Sequence, residues 1–259
     1  MIKKITIIMA LASASLMADT ILGGEISIGG YNHTPSGSAS YTETYTQIGT
    51  SADLEKDFGW SNSNDLFVKA YLEHGVPVLP NIKIAYNNFS QEGSGNVKNF
   101  NWGDISLFDG QIDTSLDLQM YDVTAYYELL DNYVSIDLGL TARYLSGDIV
   151  VTPVLSSVLG SASLPQTTTL DYWIPLVYGK VRFDIPSTDI SLQLEGNGIS
   201  YLETSLYDYE ISARYTFMMG LGLEAGYKGT HIYSEEDITE GLFIDVDTSG
   251  PYAAIVWDF

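Results

Sequence analysis

The stretch YVSIDLGLTARY, residues 133–144, alternates without a break. Val134, Ile136, Leu138, Leu140, Ala142 and Tyr144 fall on one side of an extended chain, and Ser135, Asp137, Gly139, Thr141 and Arg143 on the other. Successive side chains of a strand point to opposite faces, so this is a strand with one apolar face and one face carrying full charges of both signs. A single strand of this kind fits any half-buried sheet. What decides the fold is whether the same polarity recurs.

Working outward, period-2 segments lie near 20–31, 65–74, 82–89, 115–128, 133–146, 172–185, 190–200, 207–217, 221–231 and 243–259, which makes ten. Short turns at 75–81, 129–132, 186–189 and 218–220 alternate with mostly long polar loops at 32–64, 90–114, 147–171 and 232–242; one loop, near 201–206, is short. An even number of antiparallel strands with short turns at one end and long loops at the other is the pattern of a transmembrane barrel. The expected fold is therefore all-β, a closed antiparallel transmembrane β-barrel of about ten strands, with eight or twelve as alternatives. Both termini then lie on the periplasmic side.

Charge placement sharpens this expectation. The chain has 11 basic and 33 acidic residues; without Lys3 and Lys4 the balance is 9 − 33 = −24, which excludes a nucleic-acid partner because phosphates need basic counterparts. Lys69, Lys83, Arg143, Lys180, Arg182, Arg214 and Lys228, seven of those nine, occupy the face opposite the apolar stripe. Glu25, Glu73, Asp122, Glu128, Asp137, Glu195, Glu210 and Glu224 share that face. A lipid-type stripe backed by charges of both signs describes a polar barrel interior, in which ion pairs satisfy one another and leave the lumen plugged. A one-residue slip would turn these cations to lipid at about 2–4 kcal/mol each near the midplane, so the inward assignment is strongly specified.

The apolar stripe has its own order. Tyr121, Tyr144, Trp173, Tyr209 and Tyr227 fall toward the long-loop end, and Tyr127, Phe183, Phe217, Trp257 and Phe259 toward the short-turn end, the two levels at which amphipathic rings favour a membrane interface. The last residues, PYAAIVWDF at 251–259, carry this stripe up to a terminal Phe.

At the other end MIKKITIIMALASASLMADT reads as a secretory signal over 1–18, with charged, apolar and small segments in order and cleavage after Ala18 or after Ala12-Ser13-Ala14. Residues 19–259 are then one barrel domain, exported to the outer membrane of a Gram-negative cell. There is no cysteine, so thiol chemistry plays no part.

The terminal aromatic after alternating apolar residues resembles the C-terminal signal of bacterial outer-membrane proteins. The segments YLEHGVPVLPNIKIAYNNF and YDVTAYYELLDNYVSIDLGLTARYLSGD resemble a family of small outer-membrane β-barrel proteins of uncharacterised function. The resemblance implies location and fold, and a barrel-assembly machinery that reads the last strand. It implies no activity.

Few residues suggest chemistry. Of His33, His74 and His231, only His231 is expected at the outer rim, where Asp245 or Asp247 across the following loop would orient its imidazole. A rim histidine without chemistry is the more ordinary reading. No nucleophile-elbow, zinc-protease or phosphate-loop motif occurs, and no cofactor is expected. The acidic clusters Asp53, Glu55, Asp57 and Glu235, Glu236, Asp237, Glu240 offer hard oxygen ligands to divalent cations that bridge lipopolysaccharide phosphates, although a solvated acidic loop is the plainer reading. The expected function is a structural or surface-interaction role for a barrel with a charge-plugged lumen. A narrow channel for small solutes or cations is second, and a rim hydrolase acting on lipid or peptide third.

Overall fold

The computed structural model describes residues 22–42, 48–76, 78–154, 165–235 and 240–259. The signal segment at 1–18, together with Glu236 and Asp237, lies outside them.

The strands are β1 (Leu22–Tyr41), β2 (Ala52–Asp53), β3 (Ser63–His74), β4 (Asn81–Trp102), β5 (Ile105–Asp131), β6 (Val134–Val154), β7 (Gln166–Asp184), β8 (Ile190–Tyr201), β9 (Thr204–Thr216), β10 (Leu221–Glu235) and β11 (Leu242–Asp258). Each pairs antiparallel with its neighbours in the order β11-β10-β9-β8-β7-β6-β5-β4-β3-β1, and β11 pairs back onto β1. The two-residue β2 only joins the outer end of β1. The barrel thus closes with ten strands, as a sheet in lipid must. The short connection near 201–206 is the two-residue turn at 202–203 between β8 and β9, so the count holds there.

The closing seam between β1 and β11 runs from Glu25↔Asp258 to Tyr41↔Leu242 and is extended by Phe259. Phe259 N–H donates to Gly24 O at 2.8 Å and Gly24 N–H to Phe259 O at 2.9 Å. The Phe259 ring covers Gly24, where a Cβ would lie 2.7 Å from ring carbon, so only glycine admits it.

The long-loop expectation needs correction. Residues 32–41, 90–102, 105–114, 147–154 and 166–171 continue the strands rather than forming loops. β5 alone has 27 residues, whereas a tilted strand crosses a bilayer with ~9–11. At roughly 3.4 Å per residue, well over half of β5 stands clear of the membrane. Their polarity has little period-2 contrast, which is why the sequence suggests loops there. Above the membrane both faces of a strand tolerate polar residues, and neighbouring strands rather than lipid hold them.

The connection from β1 to β3 is not a solvated loop either. Leu54, Phe58 and Trp60 are buried inside the barrel mouth, against Phe100, Trp102, Ile112 and Val151. Trp60 Nε1 donates to Thr114 Oγ1 at 2.9 Å, and Thr114 Oγ1 donates to Phe58 O at 2.9 Å. The chain can lie this close to β4 because Gly93 and Gly95 present no side chain: a Cβ at either would overlap Phe58 O or Asp57 O. Residues 48–62 therefore form a lid across the mouth at the end of the barrel where β4, β5 and β6 extend.

The ladder between β3 and β4 runs only from Phe67↔Asn87 to Leu72↔Ile82. Beyond it a side chain substitutes for backbone: Asp65 accepts Ser90 N–H at 2.9 Å and Asn88 Nδ2 at 3.0 Å, and meets His33 Nε2 at 2.7 Å.

Candidate functional site

The site is the lumen, which is layered from the periplasmic to the extracellular end. The lowest layer centres on Arg214, which lies 2.7 Å from Glu25, 2.8 Å from Glu224 and 3.3 Å from Asp258. Gln193 donates to Glu224 at 3.0 Å from the opposite side.

Above it, Tyr71, Tyr126 and Tyr178 form a buried aromatic cluster. Tyr71 OH donates to Glu195 Oε2 at 2.7 Å, and Lys180 Nζ sits 4.3 Å over the Tyr71 ring.

The middle layer joins strands across the barrel. Glu195 on β8 pairs with Lys83 on β4. Lys69 on β3 pairs with Glu210 on β9 at 2.6 Å and approaches Glu195 at 3.9 Å. Tyr252 OH donates to Glu210 at 2.6 Å and lies 2.8 Å from Glu224. Arg143 completes the network with a two-pronged bond to Asp122, at 2.8 and 2.7 Å, and a 2.7 Å contact with Asp208. Lys69, Lys83, Asp122, Arg143 and Glu195 are buried and Glu210 and Asp208 partly so, a setting where a fully paired network is tolerable and a half-paired one costly.

The charges named from sequence divide four ways. Glu25, Lys69, Lys83, Asp122, Arg143, Glu195, Glu210, Arg214 and Glu224 meet as ion pairs. Arg182 does not join them: its partner is Asp184, two residues along, at 2.9 Å near the periplasmic end, with both side chains partly exposed. Lys180 and Lys228 form no ion pair among the described residues and rest on aromatic rings. Glu73 accepts Tyr126 OH at 3.2 Å, Glu128 is exposed at the periplasmic mouth, and Asp137 is buried with Oδ1 lacking a hydrogen bond. The expectation that every cation meets a carboxylate is thus corrected. Long side chains on a narrow circumference choose ring faces when a carboxylate lies out of reach.

Several participants were missed from sequence. Tyr71, Tyr126, Tyr178, Tyr252, Asp208 and Asp258 all have the inward parity of their strands and could have been found by counting. The upper lumen departs from the expected polar interior: its wall is apolar, built from Leu116, Leu118, Met120, Leu145, Ile149 and Leu170.

The outward aromatics lie where the stripe puts them. Tyr121, Trp173, Tyr209, Tyr227, Tyr127, Phe183 and Phe217 are exposed on the barrel exterior, and Tyr144, Trp257 and Phe259 are half-buried among neighbours. Tyr86, Tyr121, Tyr144 and Trp173 form a continuous row across β4 to β7, with ring centroids 5.2, 6.3 and 4.9 Å apart.

His231 also has a definite place. Its Nδ1 lies 2.9 Å from Asp247 on the next strand, Tyr207 stacks on it at 4.8 Å, and ligand atoms of His231, Asp245 and Asp247 lie within 4.8 Å of one another. All three are on the outward parity of β10 and β11 and not in the lumen. In the lid, Asp53 accepts the N–H groups of Glu55 and Lys56 at 3.1 and 2.9 Å and the Lys56 ammonium at 2.7 Å. That ammonium holds the Asp53 carboxyl below its ordinary range. Asp57 accepts Asp53 N–H at 2.9 Å, so much of this acidic cluster serves its own turn.

No protein-family model and no curated protein matches the chain. Among solved structures, the outer membrane protease OmpT from Escherichia coli is similar at a TM-score of 0.49 and 13% identity, over 93% of this chain and 97% of that one. The translocator domain of the autotransporter NalP from Neisseria meningitidis gives 0.43 and 11%, over 96% and 94%. A FadL homologue from Pseudomonas aeruginosa gives 0.38 and 9%, over 93% and 91%. No residue role passes from any of them to this chain.

Proposed function

We propose that the chain works in the outer membrane of a Gram-negative cell as a closed, non-porin barrel, a structural or surface-presenting protein whose lumen its own side chains plug. The observation that carries this reading is the bridge across the full width of the barrel. In the ring of ten strands β3 and β8 stand five apart in either direction, yet Tyr71 OH reaches Glu195 Oε2 at 2.7 Å. Lys83 joins the same carboxylate, and the lid closes the other end.

The reading takes residues 1–18 as the export signal, the outward stripe as the surface for lipid and lipopolysaccharide, and the strand ending in Trp257 and Phe259 as what the assembly machinery engages. Divalent cations at the acidic loops belong to it as bridges to lipopolysaccharide phosphates. It assigns no catalysis to His231, whose Asp247 partner stands on the outer wall.

Purified protein in planar bilayers tests the plug. Silence is expected, and steady nanosiemens-scale conductance replaces the reading with a narrow channel. A lipid and peptide hydrolysis screen, with His231→Ala as control, tests the absence of catalysis; turnover lost in the variant would make the rim an active site.

A further inference from the structure

Between the lid and the charged layers lies a chamber with a cavity volume of about 120 Å³. Its upper wall is apolar: Leu118, Met120, Leu145 and Ile149 from the barrel, closed by Phe58 and Trp60 of the lid. Its floor is polar and includes Lys228.

Lys228 differs from the other floor cations. Lys69, Lys83 and Arg143 each pair with carboxylates that also line the chamber. Lys228 forms no ion pair among the described residues; Asn87 Oδ1 accepts from Nζ at 3.1 Å, and the rings of Phe67 and Tyr31 lie 4.1 and 4.5 Å from it. An ammonium has three protons to donate, and a neutral amide uses one. Ring faces offer a cation part of what water would, but they do not accept a charge-assisted hydrogen bond. The chamber therefore combines an apolar ceiling with one cation that no carboxylate contacts directly among the described residues.

We propose that this chamber is a binding site for a small apolar monocarboxylate of about benzoate size. The apolar body packs under Met120, Leu145 and Trp60, and the carboxylate completes the coordination of Lys228. Size sets an upper bound: an engineered protein cavity of roughly 150 Å³ lined by aliphatic and aromatic side chains takes one benzene ring, so this chamber admits an apolar body of one ring at most, with the carboxylate directed into the polar floor. Long acyl chains do not fit. Charge sets the rest: the other floor cations are already paired, so a second anionic group has no partner, and a ligand ammonium would face Lys228. The inference does not rest on the plugged-barrel reading, since a conducting floor leaves the chamber in place.

The test uses the full mature chain in phosphatidylcholine nanodiscs, titrated to equilibrium with benzoate, benzyl alcohol and benzylammonium and followed by calorimetry and tryptophan emission, since Trp60 lines the chamber. Expected is saturable binding of benzoate at least tenfold tighter than of the alcohol, with the ammonium weakest. Lys228→Met should remove the preference for benzoate over alcohol. Met120→Trp, which fills the chamber and leaves every charge in place, should abolish binding of both, and it decides the matter if Lys228→Met fails to fold. Benzoate binding no tighter than benzyl alcohol, an unchanged preference in Lys228→Met, or unchanged binding in a folded Met120→Trp each overturns the proposal, as does the lack of saturable binding at millimolar benzoate.

Discussion

Tyr71 and Glu195 stand on strands at opposite sides of the barrel, and their side chains meet at 2.7 Å in the middle of the lumen. A barrel of ten strands is narrow enough for a tyrosine and a glutamate to span it, so its interior is packed side chain to side chain. Glu195 also pairs with Lys83 and lies 3.9 Å from Lys69, which makes this carboxylate the hub on which two cations depend.

Removing that hub charge should be costly. Glu195→Gln leaves Lys83 without its counter-ion in a buried site, and breaking one side of a buried pair costs about 3–5 kcal/mol. The expected outcome is a clear fall in the temperature at which the folded, heat-modifiable gel band is lost, whereas Tyr71→Phe, which removes a hydroxyl but no charge, should lower it far less. Equal stability of Glu195→Gln and the parent would show that the pairing carries no weight.

Arg143 and Arg182 should behave differently although both have inward parity. Arg143 is buried against Asp122 and Asp208, so Arg143→Met should destabilise by about 3–5 kcal/mol and expose two carboxylates to each other. Arg182 and Asp184 are partly exposed near the end of β7, and Arg182→Gln should cost about 0–1 kcal/mol. Urea unfolding in lipid bilayers measures both. Equal losses in the two variants would remove the distinction between them.

Deleting Phe259, or changing Trp257 and Phe259 to Ser, should reduce outer-membrane abundance. The terminal residue contributes two backbone hydrogen bonds to Gly24 and covers it with its ring, so its loss loosens the β1–β11 seam. Gly24→Val should act in the same direction, because its side chain would collide with that ring. Immunoblots of outer-membrane fractions and heat-modifiable mobility check this, and normal levels in the double serine variant would count against it.

The lid should be released by a single methyl-bearing residue. Gly95→Val places a side chain where Asp57 O now lies, so residues 53–60 can no longer dock on β4. Trypsin cleavage at Lys56 should accelerate at least tenfold while the barrel keeps its heat-modifiable mobility. An unchanged cleavage rate would mean the segment is held by other contacts.

What was legible in the sequence follows from where the chain meets lipid. Residues 133–144 show full contrast between faces because one side touches hydrocarbon and the other a charged lumen, and every transmembrane segment shares that constraint. Above the membrane the constraint lapses. Leu116, Leu118 and Leu145 line an apolar chamber although their inward face is expected to be polar, and Ile149 joins them from 147–154, where Asp148 and its neighbours suggest a loop.

By itself the sequence determined the class of fold, the strand count and which aromatics face outward, because each depends on a period-2 pattern along one strand and on the high cost of placing charge in lipid. Only the tertiary structure decided which partner each inward charge meets, that Lys228 has no carboxylate partner among the described residues, and that residues 48–62 fold back as a lid. Those outcomes depend on how strands far apart in the chain face one another across the barrel, as Lys69 on β3 faces Glu210 on β9, and on glycines such as Gly93 and Gly95 that let two backbones touch. Neither is a property of any local stretch of sequence.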